Sequence, residues 1–377
     1  MLKKIETPIP IMKPYLPPKE AFMKYADSIW ETRHLTHGGP LVKKFSNLLS
    51  EYLKVAHTVV FANGHLALDC ALKALGIKDG EAITTPYTYI STSNALSMNG
   101  LKPVYCDIKE EDCSIDENKI EALITEKTKV IVPVHVYGFP CKYKKIQEIA
   151  DKYNLKVVYD AAHAFGVEVE GRGIGSLGNA SMFSFHATKV FHTVEGGAVT
   201  TEDDSLEEKL IAAKNFGMIN ADDATTISFN AKMTEIHAAM GLANLEIVDW
   251  EILQRKQIIE RYIENLKNIN GIRLFHWDKK DVKYNYSYFP IILEEKVLDK
   301  NRDFIAEILA TKYNIFTRRY FYPILSDMSC YKKTHNSNQT PIAKHISDQV
   351  LMMPLFVEMT PSQIDYVCDA IKEILNG

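Results

Sequence analysis

The sequence predicts an α/β protein: a mainly parallel central sheet with helices on both faces, and a smaller C-terminal α+β domain. Three observations predict it. Short apolar runs alternate with helical patterns through the middle of the chain. That alternation stops near residue 230. The 377 residues suffice for two or three domains of about 100–200 residues each.

The runs Val59–Phe61, Ile83–Thr85, Pro103–Asp107, Val130–Val134, Val157–Asp160, Met182–Ser184 and Ala198–Thr200 read as strands. Most are rich in Val, Ile or aromatics and do not alternate strictly, which suits strands buried on both faces. Between them, His65–Leu75 carries Leu68, Leu72 and Leu75 at helical spacing, and Gly76 supplies a stop. Lys142–Tyr153 places Ile146, Ile149, Ala150 and Tyr153 on one helical face. Beyond residue 230, Met233–Ile269 reads as mostly helical, with one long amphipathic stretch from Ile236 onward. Tyr284–Leu293 reads as a strand, Phe304–Tyr313 as a helix and Ser362–Leu375 as a terminal helix. The expected division is 1–245 (an N-terminal segment plus a large domain) and 246–377 (a small domain), with the long helix as connector.

Composition narrows the class of function. Lys and Arg number 44 against 48 Asp and Glu, a net charge of −4, whereas a dedicated nucleic-acid or membrane-surface binder is usually basic overall. No stretch approaches about 18 consecutive apolar residues, so no bilayer span is expected. Met1 to Lys13 contains no long apolar run, so no secretory leader is expected either. The six cysteines include no Cys-x-x-Cys pair and read as thiols of a reducing, cytoplasmic compartment.

Four features beyond strand ends carry chemistry. Asp160 ends Lys156-Val-Val-Tyr-Asp160, where ligands of open α/β sheets bind, although Asp also favours helix N-caps. Lys189 lies in a polar turn but is followed by Val190 and Phe191. An amine in apolar surroundings can act in Schiff-base chemistry, whereas most loop lysines are simply solvated. Asn63-Gly64-His65 joins a strand to a helix whose first N–H groups can hold an anion, although many such turns contain Asn-Gly. Tyr89 follows another strand and can stack on a flat ligand, or merely pack. Together, cradle, aromatic, aspartate and lysine in chain order, they form the set that pyridoxal phosphate requires: a lysine for its aldehyde, an aspartate for its ring nitrogen, and a cradle for its phosphate.

These residues sit in segments that resemble the DegT/DnrJ/EryC1/StrS family of pyridoxal-phosphate-dependent nucleotide-sugar aminotransferases, which have the aspartate aminotransferase type I fold. The resemblance runs from about Pro14 to Ile374. It is carried by Leu35-Thr-His-Gly-Gly-Pro40, Asn63-Gly-His-Leu-Ala-Leu68, Asp160-Ala-Ala-His163, Ser184-Phe-His-Ala-Thr-Lys189, Glu195-Gly-Gly197, Asn230-Ala-Lys-Met-Thr-Glu235 and Thr317-Arg318.

The resemblance implies that Lys189 is the Schiff-base lysine and proton shuttle, and that Asp160 is the partner of the pyridinium nitrogen. It places His163, where many relatives carry Gln, at the phenolic oxygen. Ser184 and the backbone of Gly64 and His65 would meet the phosphate, and Tyr89 would stack on the ring. Asn230 would reach the phosphate of the neighbouring subunit, implying a homodimer with shared active sites. Gly38, Gly39, His186 and Arg318 would face the substrate, and Arg319 could meet its diphosphate.

The implied reaction is ping-pong. L-glutamate leaves its amine as pyridoxamine phosphate, and a nucleotide-linked keto-sugar takes it up. The Ser184–Gly197 and Arg318–Pro323 strings look most like members acting at C4, converting dTDP-4-keto-6-deoxy-D-glucose to dTDP-4-amino-4,6-dideoxy-D-glucose. A UDP-linked 4-keto-sugar and a C3-keto-sugar are the alternatives.

Three rivals fit less well. A metal hydrolase could draw on His135, His163, His186, His192 and His237, but no His-Glu-x-x-His spacing occurs, and no metal is expected. A dinucleotide oxidoreductase would need Gly-x-Gly-x-x-Gly after a strand, and Gly171-Arg-Gly-Ile-Gly175 lacks that spacing. A non-catalytic sensor or regulator on the same fold would have no need of Lys189.

Overall fold

The computed structural model describes residues 2–376. Seven strands form the central sheet: β1 His57–Phe61, β2 Gly80–Thr84, β3 Leu101–Tyr105, β4 Thr128–Ile131, β5 Lys156–Asp160, β6 Ala180–Ser184 and β7 Gly197–Thr201. Their spatial order is β1-β7-β6-β5-β4-β2-β3. The pairs from β3 through β2, β4 and β5 to β6 are parallel, while β7 runs antiparallel to both β6 and β1. Every strand anticipated from the apolar runs is present. In β5, Val157, Val158, Tyr159 and Asp160 are all buried, which is why these runs do not alternate.

Helices cover both faces. The first two are α1 Lys19–Thr32 and α2 Pro40–Leu53, which no sequence pattern marked. The helix expected over 65–75 is α3 Gly64–Ala74, and Asn63 caps it by accepting from the Leu66 amide at 2.9 Å. The next are α4 Ile90–Met98, α5 Tyr143–Lys152 and α6 Asp204–Ala213.

The continuous helix expected after Ile236 is two helices, α7 Glu235–Leu245 and α8 Val248–Leu266. The first is apolar nearly all round and packs against α1 and α2. The second leaves the large core: Val248 and Ile252 still belong to it, whereas Ile258, Ile259 and Tyr262 belong to the C-terminal core.

The C-terminal sheet is antiparallel, β8 Ile272–Leu274, β9 Pro290–Leu293 and β10 Val350–Met352 in that order. Around it lie α9 Arg302–Tyr313, α10 Pro341–Gln349 and α11 Pro361–Asn376. The strand expected over Tyr284–Leu293 pairs only from Pro290. Tyr286 turns the chain at φ +52°, and Asn285 and Ser287 hydrogen-bond to the loop after β5 instead. Ile9, grouped by sequence with the large domain, pairs with the chain at Asn314–Phe316 and is buried in the C-terminal core.

Candidate active site

The carboxyl ends of β1, β5 and β6 and the start of β7 meet at one edge of the sheet. There Gly197 is paired both with Ser184 and with Phe61. A cavity of about 520 Å³ opens at this edge, and its lining includes Asn63, Gly64, Asp160, Ser184 and Lys189. The chain turns that the sequence singled out one by one are therefore brought to a single space.

Asp160 continues β5 into the cavity and is 4% exposed. Its Oδ2 accepts the Thr92 hydroxyl at 2.7 Å and its Oδ1 accepts the Ala162 amide at 3.0 Å. Burial pushes this carboxyl above the ordinary carboxylate value, while the two donors and the Lys189 charge pull it back. A buried acceptor of this kind suits a protonated ring nitrogen.

Lys189 is held from below. Val190 and Phe191 are buried, and Phe191 stacks on Phe165 at 4.2 Å between centroids. The loop closes through Lys189 N–H to His186 O at 2.9 Å and Thr193 N–H to Phe185 O at 2.9 Å.

His163 is buried, and its Nδ1 accepts the Tyr137 amide at 3.1 Å. An amide can only donate, so Nδ1 is unprotonated and the ring proton sits on Nε2. Burial, followed by the Lys189 charge, holds this imidazole well below its usual pKa, so the ring is neutral. Its remaining polar group is an Nε2–H donor, as a phenolic oxygen would require. Tyr137 itself is left-handed at φ +56°, a conformation uncommon for an aromatic residue.

Gly64 opens α3. A Cβ there would stand 2.9 Å from Ser184 Cβ, and one on Gly197 would stand 2.6 Å from the Gly64 nitrogen. The absence of both side chains leaves a backbone cradle. Among the described residues, no acceptor meets the Gly64 or His65 amide. His65 turns its side chain to Ser91 Oγ at 2.9 Å, so only its backbone serves the cradle. Tyr89 stands at the mouth, 62% exposed. His186 lines the cavity and bonds to Thr188 Oγ1 at 2.7 Å.

Other candidates lie elsewhere. Arg318 and Arg319 line a second cavity of about 890 Å³ that shares Thr88, Tyr89, Tyr320 and Phe321 with the first. Arg319 pairs with Asp303 at 3.1 Å. Gly38 and Gly39 precede α2 and line neither cavity, and Asn230 is exposed and lines neither.

Sequence reading missed Thr92, Tyr137 and Tyr288. Thr92 had a signal, since it lies one helical turn after Thr88 and three residues after Tyr89. Tyr137 and Tyr288 had none, because their roles depend on contacts with distant segments. No cluster of metal-ligating side chains occurs among the described residues. Nor is any described helix long and apolar enough to cross a membrane.

The fold is that of the sugar aminotransferases. Residues 18–372 match the DegT/DnrJ/EryC1/StrS aminotransferase family, and the chain belongs to that family. It is 41% identical over 370 residues to a dTDP-4-amino-4,6-dideoxy-D-glucose transaminase of Shigella dysenteriae, covering 98% of this chain and 100% of the relative. Its fold matches DesI, solved in the presence of its TDP-sugar product, at TM-score 0.94 and 30% identity over 99% of this chain and 94% of DesI. It also matches NtdA of Bacillus subtilis, solved with bound cofactor PMP, at TM-score 0.85 and 28% identity over 95% of this chain and 82% of NtdA.

Proposed function

We propose that this aminotransferase binds pyridoxal phosphate at Lys189 and moves the amine of L-glutamate to C4 of a nucleotide-linked 4-keto-6-deoxy sugar. The preferred substrate is dTDP-4-keto-6-deoxy-D-glucose. The observation that carries the cofactor is the convergence of Lys189, Asp160 and the free amides of α3 on one cavity. The similarity to the Shigella transaminase supports the sugar.

When bound, the cofactor supplies an electron sink that makes the Cα proton of an amino acid acidic. The residues around it divide the remaining work. Asp160 holds a proton on the ring nitrogen through an ion pair made stronger by burial. His163 Nε2–H donates to the phenolic oxygen. The Gly64 and His65 amides, with Ser184, anchor the phosphate at the start of α3. Lys189 Nζ would take up and return the proton of the donor Cα, as general base and then as acid. Tyr89 covers the ring, and His186, Arg318 and Arg319 meet sugar and diphosphate. Remote contacts to the diphosphate orient the keto carbon. Asn230, exposed and outside its own cavity, completes the site of a second copy in a homodimer.

Incubation with pyridoxal phosphate, L-glutamate and a panel of dTDP- and UDP-linked keto-sugars tests this directly. The expected product, read by mass and NMR, is dTDP-4-amino-4,6-dideoxy-D-glucose with 2-oxoglutarate. Amination at C3 alone would overturn the C4 assignment.

A further inference from the structure

The amine of Lys189 has one hydrogen-bond partner among the described residues, the hydroxyl of Tyr288, at 3.3 Å. The same amine stands 5.9 Å from the centre of the Tyr288 ring, which places it beyond the hydroxyl and not over the ring face. Lys189 needs such a partner. Its backbone is pinned by Val190 and Phe191, but a four-carbon stem leaves the ammonium free to rotate away.

Tyr288 is itself firmly placed. It precedes β9, yet the residues before it are fastened to the loop that carries Asp160 and His163. Asn285 Nδ2 donates to His163 O at 2.8 Å and to Phe165 O at 2.9 Å, and Ser287 Oγ donates to His163 O at 3.1 Å. The Tyr288 ring packs on His163 at 4.5 Å and meets Tyr320 edge-on at 6.2 Å. The phenol is thus fixed relative to the residues assigned to the cofactor ring, although its strand belongs to the C-terminal sheet.

We propose that Tyr288 is a positioning residue for Lys189, holding the free amine in the cavity during the part of the cycle when it carries a proton rather than a covalent bond. The proposal rests on the pyridoxal-phosphate reading above. The phenol oxygen accepts from the amine. The amine therefore stays beside the reacting carbons while substrate is bound.

Tyr288→Phe keeps the ring on His163 and Tyr320 and removes only the hydroxyl. Two rates are read for it, for wild type and for Tyr284→Phe, which deletes a buried hydroxyl outside the cavity. One is the appearance of visible absorbance when pyridoxal phosphate is added to cofactor-free protein. The other is the single-turnover reaction with L-glutamate. Tyr288→Phe is expected to slow both about tenfold, with KM for glutamate within about twofold of wild type. Its thermal midpoint should stay unchanged, and Tyr284→Phe should match wild type in both rates. Wild-type rates in Tyr288→Phe, or a loss confined to KM, would overturn the proposal while the cofactor reading stands. A wild-type protein that gains no absorbance would overturn both.

Discussion

The hydroxyl of Thr92 donates to Asp160 Oδ2 at 2.7 Å, joining the first turn of α4 to the end of β5 at the cavity. Removing that donor leaves a buried carboxylate short of one partner, a loss of about 1–3 kcal/mol. The sign with pH follows from the direction of the Asp160 shift. Its folded pKa lies above the unfolded value, and losing Thr92 raises it further. Stability from the protonated form is present below the unfolded pKa and lost as pH rises through the folded one. Thr92→Val in cofactor-free protein should therefore cost more at pH 8 than at pH 4 by urea unfolding. Equal costs at both would contradict this.

The Tyr137 amide sets the tautomer of His163. In histidine labelled with ¹⁵N, Nδ1 should resonate as an unprotonated acceptor and Nε2 as N–H, with no titration near the usual 6.5. The folded pKa is depressed. Stability from the neutral ring is therefore present above the unfolded value and lost as pH falls toward the folded one. An NMR midpoint near the usual value would refute the assignment. His163→Gln, which keeps a donor, should retain cofactor absorbance better than His163→Leu.

Lys189→Ala should abolish the visible absorbance of added pyridoxal phosphate and lower transamination by about 10³-fold, within the range of lost acid–base catalysis. Its chemical-denaturation midpoint should barely move. Retained absorbance in this variant would remove Lys189 from its assigned role.

Gly64→Ala places a methyl against Ser184. Affinity for pyridoxamine phosphate, which needs no bond to Lys189, should fall about tenfold, a loss of roughly 1.4 kcal/mol. Calorimetric titration of the cofactor-free variant measures it. An unchanged Kd would show that the phosphate lies elsewhere.

Asp107, buried just past β3, accepts from the Ala343 amide at 2.8 Å, the Ile342 amide at 3.2 Å and Lys119 Nζ at 3.1 Å. It caps α10 from across the molecule and ties the two sheets together. Asp107→Ala should cost about 2 kcal/mol in urea unfolding, with Asp107→Asn losing less. A wild-type midpoint for Asp107→Ala would show that the cap is dispensable.

The strands of the large sheet were legible because a strand buried on both faces must be apolar throughout, as Val157–Tyr159 is. Lys189, Asp160 and Gly64, which line one cavity, stand out in the sequence because their proposed chemistry attaches to residue type and to position after a strand. The break between α7 and α8 was not legible. The buried apolar residues of α7 all serve the large core, whereas α8 passes from that core at Val248 to the C-terminal core at Ile258, and hydrophobic periodicity does not record which core an apolar face will meet. The irregular run 284–289 reads as a strand by composition, yet Asn285 and Ser287 spend their hydrogen bonds on the loop of His163.

By itself the sequence determined the order of elements, the buried faces and the presence of a lysine, an aspartate and an anion cradle, since these depend on local pattern and residue chemistry. Only the tertiary structure decided that Thr92 meets Asp160, that the Tyr137 amide orients His163, and that Tyr288 meets Lys189. Each of those contacts joins residues far apart in the chain, and a hydrogen bond depends on distance in space, which no local pattern encodes.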